Sequence, residues 1–157
     1  MADNKIYNID KLSRPVDFSG LCHCGSCSPT DIDFCIEIGD MKKYLIGDFK
    51  EEGKELTTGQ KILLERHCAA FAKLGYISVA FLAWHPGDVE IIKAHEAIVV
   101  MIYRTTPSKI ISEWKDCKKE KLLIKYNRFF GVKQETIDRF IVDAGLENAF
   151  NHPGNVT

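Results

Sequence analysis

The sequence predicts an α/β domain in which a mixed β-sheet is flanked by helices. Three observations carry that expectation: apolar and polar residues alternate over 31–38, a helix-period apolar pattern runs over 58–74, and dense apolar runs fill 77–84 and 98–103. The chain has 157 residues, 45% of them hydrophobic, enough for one core. We expect a single domain over 1–150 and a short tail over 151–157, where Pro153 and Gly154 favour fraying.

The elements follow in order. A helix is expected ahead of the first strand. Over 31–38, Ile32, Phe34, Ile36 and Ile38 share one face and Asp31, Asp33, Cys35 and Glu37 the other, which is a strand pattern. Gly39 and Asp40 supply turn chemistry, and 42–50 reads as a second strand with Tyr44, Ile46, Asp48 and Lys50 on one face. Together they predict an antiparallel hairpin. The helix over 58–74 should bury Ile62, Leu63, Arg66, Ala70, Phe71 and Leu74 and stop at Gly75. The runs at 77–84 and up to Tyr103 suit central strands buried on both faces, with turn residues His85, Pro86, Gly87 and Asp88 between them. Helices are expected over 108–114, 119–130 and 135–144, the last ending at Gly145.

Composition narrows the function classes. No apolar run approaches the ~20 residues of a membrane span, and the N-terminal segment lacks a signal-peptide core, so a soluble cytoplasmic protein is expected. The six cysteines then read as thiols or ligands rather than disulfides. A net charge of -1 excludes a globally basic nucleic-acid binder. Any such contact must be local. The stretch 114–133 offers seven cations against two acids, and Lys118, Lys119, Lys121, Lys125 and Arg128 are its candidate nucleic-acid contacts.

The hairpin brings chemistry together. With Gly39 and Asp40 as the turn pair, Asp31 faces Asp48; with Asp40 and Met41 as the pair, Asp33 faces Asp48. Either register gathers three carboxylates and the Lys50 ammonium on one side. Clustered carboxylates repel, so they call for a bound cation or raised pKa values. All-oxygen ligands point to Mg²⁺ or Mn²⁺, which use one or two carboxylates together with water and phosphate oxygens. Asp33 and Asp48 are the expected metal ligands, Asp31 supplements them, and Lys50 is placed to act on the attacking water.

The stretch 29–60, PTDIDFCIEIGDMKKYLIGDFKEEGKELTTGQ, resembles the PD-(D/E)XK nuclease superfamily, and especially its small phage-encoded members. The matching residues are Asp31 and Asp33, then Asp48 and Lys50, then Gly59 and Gln60, with Asp48 where the family more often carries Glu. The resemblance implies a restriction-endonuclease-like sandwich, a DNA substrate, a Mg²⁺ or Mn²⁺ cofactor, and a catalytic set of Asp33, Asp48, Lys50 and Gln60. Gln60 also has a purely local explanation, since Thr57 three residues earlier forms a capping-box pattern. Symmetric cutting of a duplex would require a homodimer. The alternative is a noncatalytic nucleic-acid or protein binding module on the same fold, holding zinc through Cys22, Cys24, Cys27 and a fourth ligand such as His23.

Overall fold

The computed structural model describes residues 32–90 and 92–147, all within one compact unit that begins at Ile32. The helix expected ahead of the hairpin, Asp31, the Cys22, His23, Cys24 and Cys27 window, and the tail over 151–157 lie outside the described residues.

Strands β1 (Phe34–Ile38) and β2 (Lys43–Glu51) form the expected antiparallel hairpin, with Phe34 facing Gly47 and Ile38 facing Lys43. Of the two registers open to the sequence, this is the one centred on Asp40 and Met41. The connection closes when the Lys42 N–H donates to the Gly39 carbonyl at 3.1 Å. That turn holds Lys42 at φ 49°, so extended backbone starts one residue later than the alternation suggested.

Helix α1 (Thr58–Lys73) crosses over to β3 (Ile77–His85), which lies parallel to β2, with Lys43 beside Ile77 and Glu51 beside His85. It stops where expected, at a left-handed Gly75 with φ 90°. Its buried stripe differs from the expected one: Leu64, Cys68 and Ala72 point inward, while Ile62 and Leu74 stay exposed. The helix carries apolar residues around much of its circumference, so the sheet, not the periodicity, selects the buried face.

Strand β4 (Ile98–Thr105) runs antiparallel to β3, and β5 (Lys115–Lys121) runs antiparallel to β4 at the outer edge. The strands are ordered β1 to β5 across one mixed sheet, with β3 at its centre. Helices α2 (Leu122–Phe129) and α3 (Gln134–Asp143) complete the described chain. The α1 face of the sheet buries Tyr44, Ile46, Leu82, Val100 and Tyr103 against Leu64 and Cys68. The opposite face buries Leu45, Phe81 and Val99 against Leu122 and Phe130. Each such side chain contributes about 1.5–3 kcal/mol by leaving water. Packing on the second face is tight enough to dictate a glycine: a Cβ at Gly47 would stand 2.3 Å from the Phe81 ring.

Two helix expectations are corrected. Over 108–114 the chain is irregular, following a narrow turn in which Thr106 and Lys109 exchange backbone hydrogen bonds across Pro107. Proline fixes that turn, and Trp114 is drawn to α1, where its indole N–H donates to Glu65 at 2.8 Å. The helix expected over 119–130 starts only at Leu122, because Lys119, Glu120 and Lys121 belong to β5. The open edge of β4 needs hydrogen-bond partners, and that demand overrides the helix propensity of Lys and Glu. The expected helix over 135–144 is present as α3.

Candidate active site

Asp33 directly precedes β1, and the hairpin register carried one residue further sets it across from Asp48. Its Oδ2 accepts the Phe49 backbone N–H at 2.9 Å, which fixes the exposed carboxylate over β2. Alternation along β1 would also aim Cys35 and Glu37 at this face, but both have other partners. The Cys35 thiol donates to the Tyr44 hydroxyl at 3.4 Å, which meets His67 Nδ1 at 3.1 Å, and Glu37 accepts from the Tyr76 hydroxyl. Only Asp33 of these is left to act with Asp48.

Asp48 is buried, with 4% of its surface exposed. The Lys50 ammonium lies 2.9 Å from its Oδ2, yet the approach is angled away from hydrogen-bond geometry, so this enclosed oxygen has charge beside it and no hydrogen-bond partner. Burial first, and then the adjoining Asp33 carboxyl, push the Asp48 carboxyl up to about 6 against the opposing pull of Lys50. Of the four groups that sequence periodicity placed on one face, Asp33, Asp48 and Lys50 meet there, and Asp31 lies outside the described residues.

The site lies at the carboxyl end of the parallel pair β2 and β3, the end at which α1 begins, a position where open α/β sheets commonly hold ligands. Gln60 sits in the first turn of α1, where its Oε1 accepts from the Thr57 backbone N–H at 3.1 Å while the Thr57 hydroxyl accepts the Gln60 N–H at 3.2 Å. The capping box is therefore complete, and it occupies the Gln60 carbonyl oxygen. His85 is tied to its own turn, Nδ1 lying 2.7 Å from the Pro86 carbonyl.

Trp84 is the neighbour that sequence reasoning missed. It pairs with Lys50 in register, and its indole N–H donates to the Lys54 carbonyl at 2.8 Å. The Lys119 ammonium stands 5.2 Å above its ring, so one of the expected DNA contacts does project on the Asp48 face. A strand-ending Trp was the available signal. Lys125 and Arg128 converge on Glu120, at 3.9 and 2.8 Å, while Lys118 is exposed on β5. Lys121 is half-buried, and that burial lowers its pKa while Glu96 acts in the opposite direction.

Among the described residues no group of three or more His, Cys, Asp or Glu side chains is arranged to hold a metal. Asp33 and Asp48 nevertheless fit a Mg²⁺ or Mn²⁺ ion, which can take one or two carboxylates and complete its shell with water and phosphate; the orphaned Asp48 Oδ2 offers the unused lone pair. Cys35, Cys68 and Cys117 are free thiols. No family model, curated protein or solved structure matches this chain. Among the described residues no helix is long and apolar enough to cross a membrane.

Proposed function

We propose that the protein is a Mg²⁺- or Mn²⁺-dependent nuclease that hydrolyses DNA phosphodiester bonds at Asp33, Asp48 and Lys50, on a restriction-endonuclease-like version of this α/β sheet. The supporting observation is the buried Asp48 carboxylate, without a hydrogen bond at Oδ2 and flanked by both Asp33 and Lys50. A fold driven by stability alone gains little from such an arrangement, because burying a partly partnered carboxylate is costly.

Asp33 and Asp48 would hold the ion. When bound, it supplies a lowered water pKa and charge neutralisation at the phosphate. Lys50, on the same face, orients the attacking water and offsets negative charge gathering on the phosphate oxygens. The Phe49 N–H keeps Asp33 turned toward this centre. Lys119, held over Trp84, draws the DNA backbone toward Lys50. Duplex cleavage on both strands requires two such sites and hence a homodimer, and we place the reaction in the cytoplasm.

The second reading is a noncatalytic binding module, favoured by the engagement of Gln60 in the α1 cap and by the Asp48–Lys50 ion pair. Incubating the protein with labelled duplex, single-stranded and branched DNA in Mg²⁺, Mn²⁺ or EDTA separates the two. Metal-dependent cleavage that disappears in Asp48→Asn is the expected result. Binding without cleavage on every substrate would establish the module instead.

A further inference from the structure

The irregular segment between β4 and β5 frames a cleft of about 330 Å³ on the sheet face opposite α1. Arg104, Lys109 and Lys115 line it together with Thr106, Ser112 and Glu113. Arg104 pairs in register with Val79, whereas the Asp48 centre aligns with Leu82 on the α1 face. The two places lie toward different ends of β3 and on different faces of the sheet.

Charge in this cleft is unbalanced. Lys115 reaches Glu113 at 3.3 Å, but among the described residues the side chains of Arg104 and Lys109 have no acidic or hydrogen-bonding partner. By contrast, Glu120 answers both Lys125 and Arg128. In a protein of net charge -1, the lining of this cleft carries three cations against one acid.

The cleft is also held in shape. The Thr106–Lys109 bridge closes its floor, with the Thr106 hydroxyl accepting the Lys109 N–H at 3.1 Å. Two residues beyond Ser112, Trp114 is anchored to Glu65 at 2.8 Å. A guanidinium fork, a nearby ammonium and the Ser112 hydroxyl form a donor set suited to a tetrahedral oxyanion, and the surplus of two positive charges matches a dianion.

We propose that this cleft binds the dianionic phosphate group of a free phosphate or a nucleoside monophosphate, at a site separate from the Asp48 centre. The inference does not depend on nuclease activity.

The test is a titration of the ¹⁵N-labelled full chain with inorganic phosphate, a nucleoside 5′-monophosphate and the unphosphorylated nucleoside. Saturable shifts at Arg104, Lys109, Ser112 and Lys115 with both phosphates, and none with the nucleoside, are the expected result. Tighter binding of the nucleotide identifies it as the natural source, and equal binding identifies phosphate itself. Affinity for the nucleotide should fall between about pH 7.5 and pH 5.5, as a phosphomonoester loses its second charge near pH 6. Arg104→Ala and Lys109→Ala should each weaken binding about tenfold, with Arg104→Lys intermediate, since charge-assisted donors are the strong ones. Arg104 and Lys109 are exposed, so these variants should melt like the parent. Shifts spread over all surface lysines, or an unchanged affinity in the double variant, would overturn the proposal.

Discussion

Two clusters in this molecule use the same ingredients and reach opposite outcomes. At Glu120, one carboxylate at the junction of β5 and α2 receives two cations, Lys125 and Arg128. At Asp48, one carboxylate inside the sheet receives a single off-angle cation and a second carboxylate as neighbour. The first is a closed arrangement that fastens a helix to a strand. The second is electrostatically incomplete, and its buried acid titrates well above the usual carboxylate range. Acid and base content alone therefore says little; partner count and burial distinguish a structural pair from a centre prepared for a ligand.

The sharpest way to break that contrast is to neutralise each carboxylate. Asp48→Asn should lower single-turnover DNA cleavage by about a thousandfold, since it removes both a metal ligand and the charge that holds Lys50. It should also erase any rise in melting temperature caused by Mg²⁺ or Mn²⁺. Glu120→Gln should leave cleavage at the parent rate. Equal loss in both variants would show that the two clusters are not different in kind.

Lys50→Ala comes next, with an expected rate loss of about a hundredfold. Metal-induced stabilisation should survive, because the lysine acts on water and phosphate rather than on the ion. Metal titration followed by melting, run beside single-turnover cleavage, reads the two effects separately. A Lys50→Ala protein that cleaves normally would remove the hairpin from the reaction.

The pH dependence of stability sharpens the comparison further. Because the folded protein raises the Asp48 pKa from 3.8 to about 6, it holds that proton more tightly than the unfolded chain does. The stabilisation is fully present below about pH 4 and is lost as pH rises through about 6. Its size is on the order of 3 kcal/mol. Melting curves in EDTA across this window should show a falling contribution in the parent that is missing from Asp48→Asn. Glu120→Gln should keep the parent slope, and a parent curve parallel to that of Asp48→Asn would refute the raised pKa.

The smallest effect is expected at the surface. Arg128→Ala should cost no more than about 1 kcal/mol, the range of exposed ion pairs, and should leave DNA affinity unchanged. Lys119→Ala should weaken DNA binding severalfold without changing the single-turnover rate at saturating protein. If filter binding shows the reverse order, the DNA path crosses α2 instead of Trp84.

The hairpin was legible because strand side chains alternate with a period of two, which puts Asp33, Asp48 and Lys50 on one face under either turn. The choice between turns was not, since Gly39, Asp40 and Met41 accept both, and it decides which aspartate meets Asp48. Thr57 and Gln60 spelled the cap of α1, and Gly75 its end. The lysine-rich run was misread for a physical reason: Lys119 to Lys121 suit a helix locally, and only the vacant edge of β4, supplied by residues far away in sequence, makes them a strand. The meeting of Glu120 with Arg128 across that junction, and of Lys119 with Trp84, depends on the same tertiary event.

That edge also governs how copies of the chain behave when crowded. A bare outer strand is an invitation for another molecule to extend the sheet, and the extension can repeat without limit. Here β5 carries Lys115, Lys118, Lys119 and Lys121 against only Asp116 and Glu120, so an approaching copy in the same pose would meet a net positive strand as its backbone came within reach. Repulsion acts before the hydrogen bonds can form. The strand that completes the sheet also discourages edge-to-edge aggregation there, and self-association through this edge should grow only when salt screens the lysines.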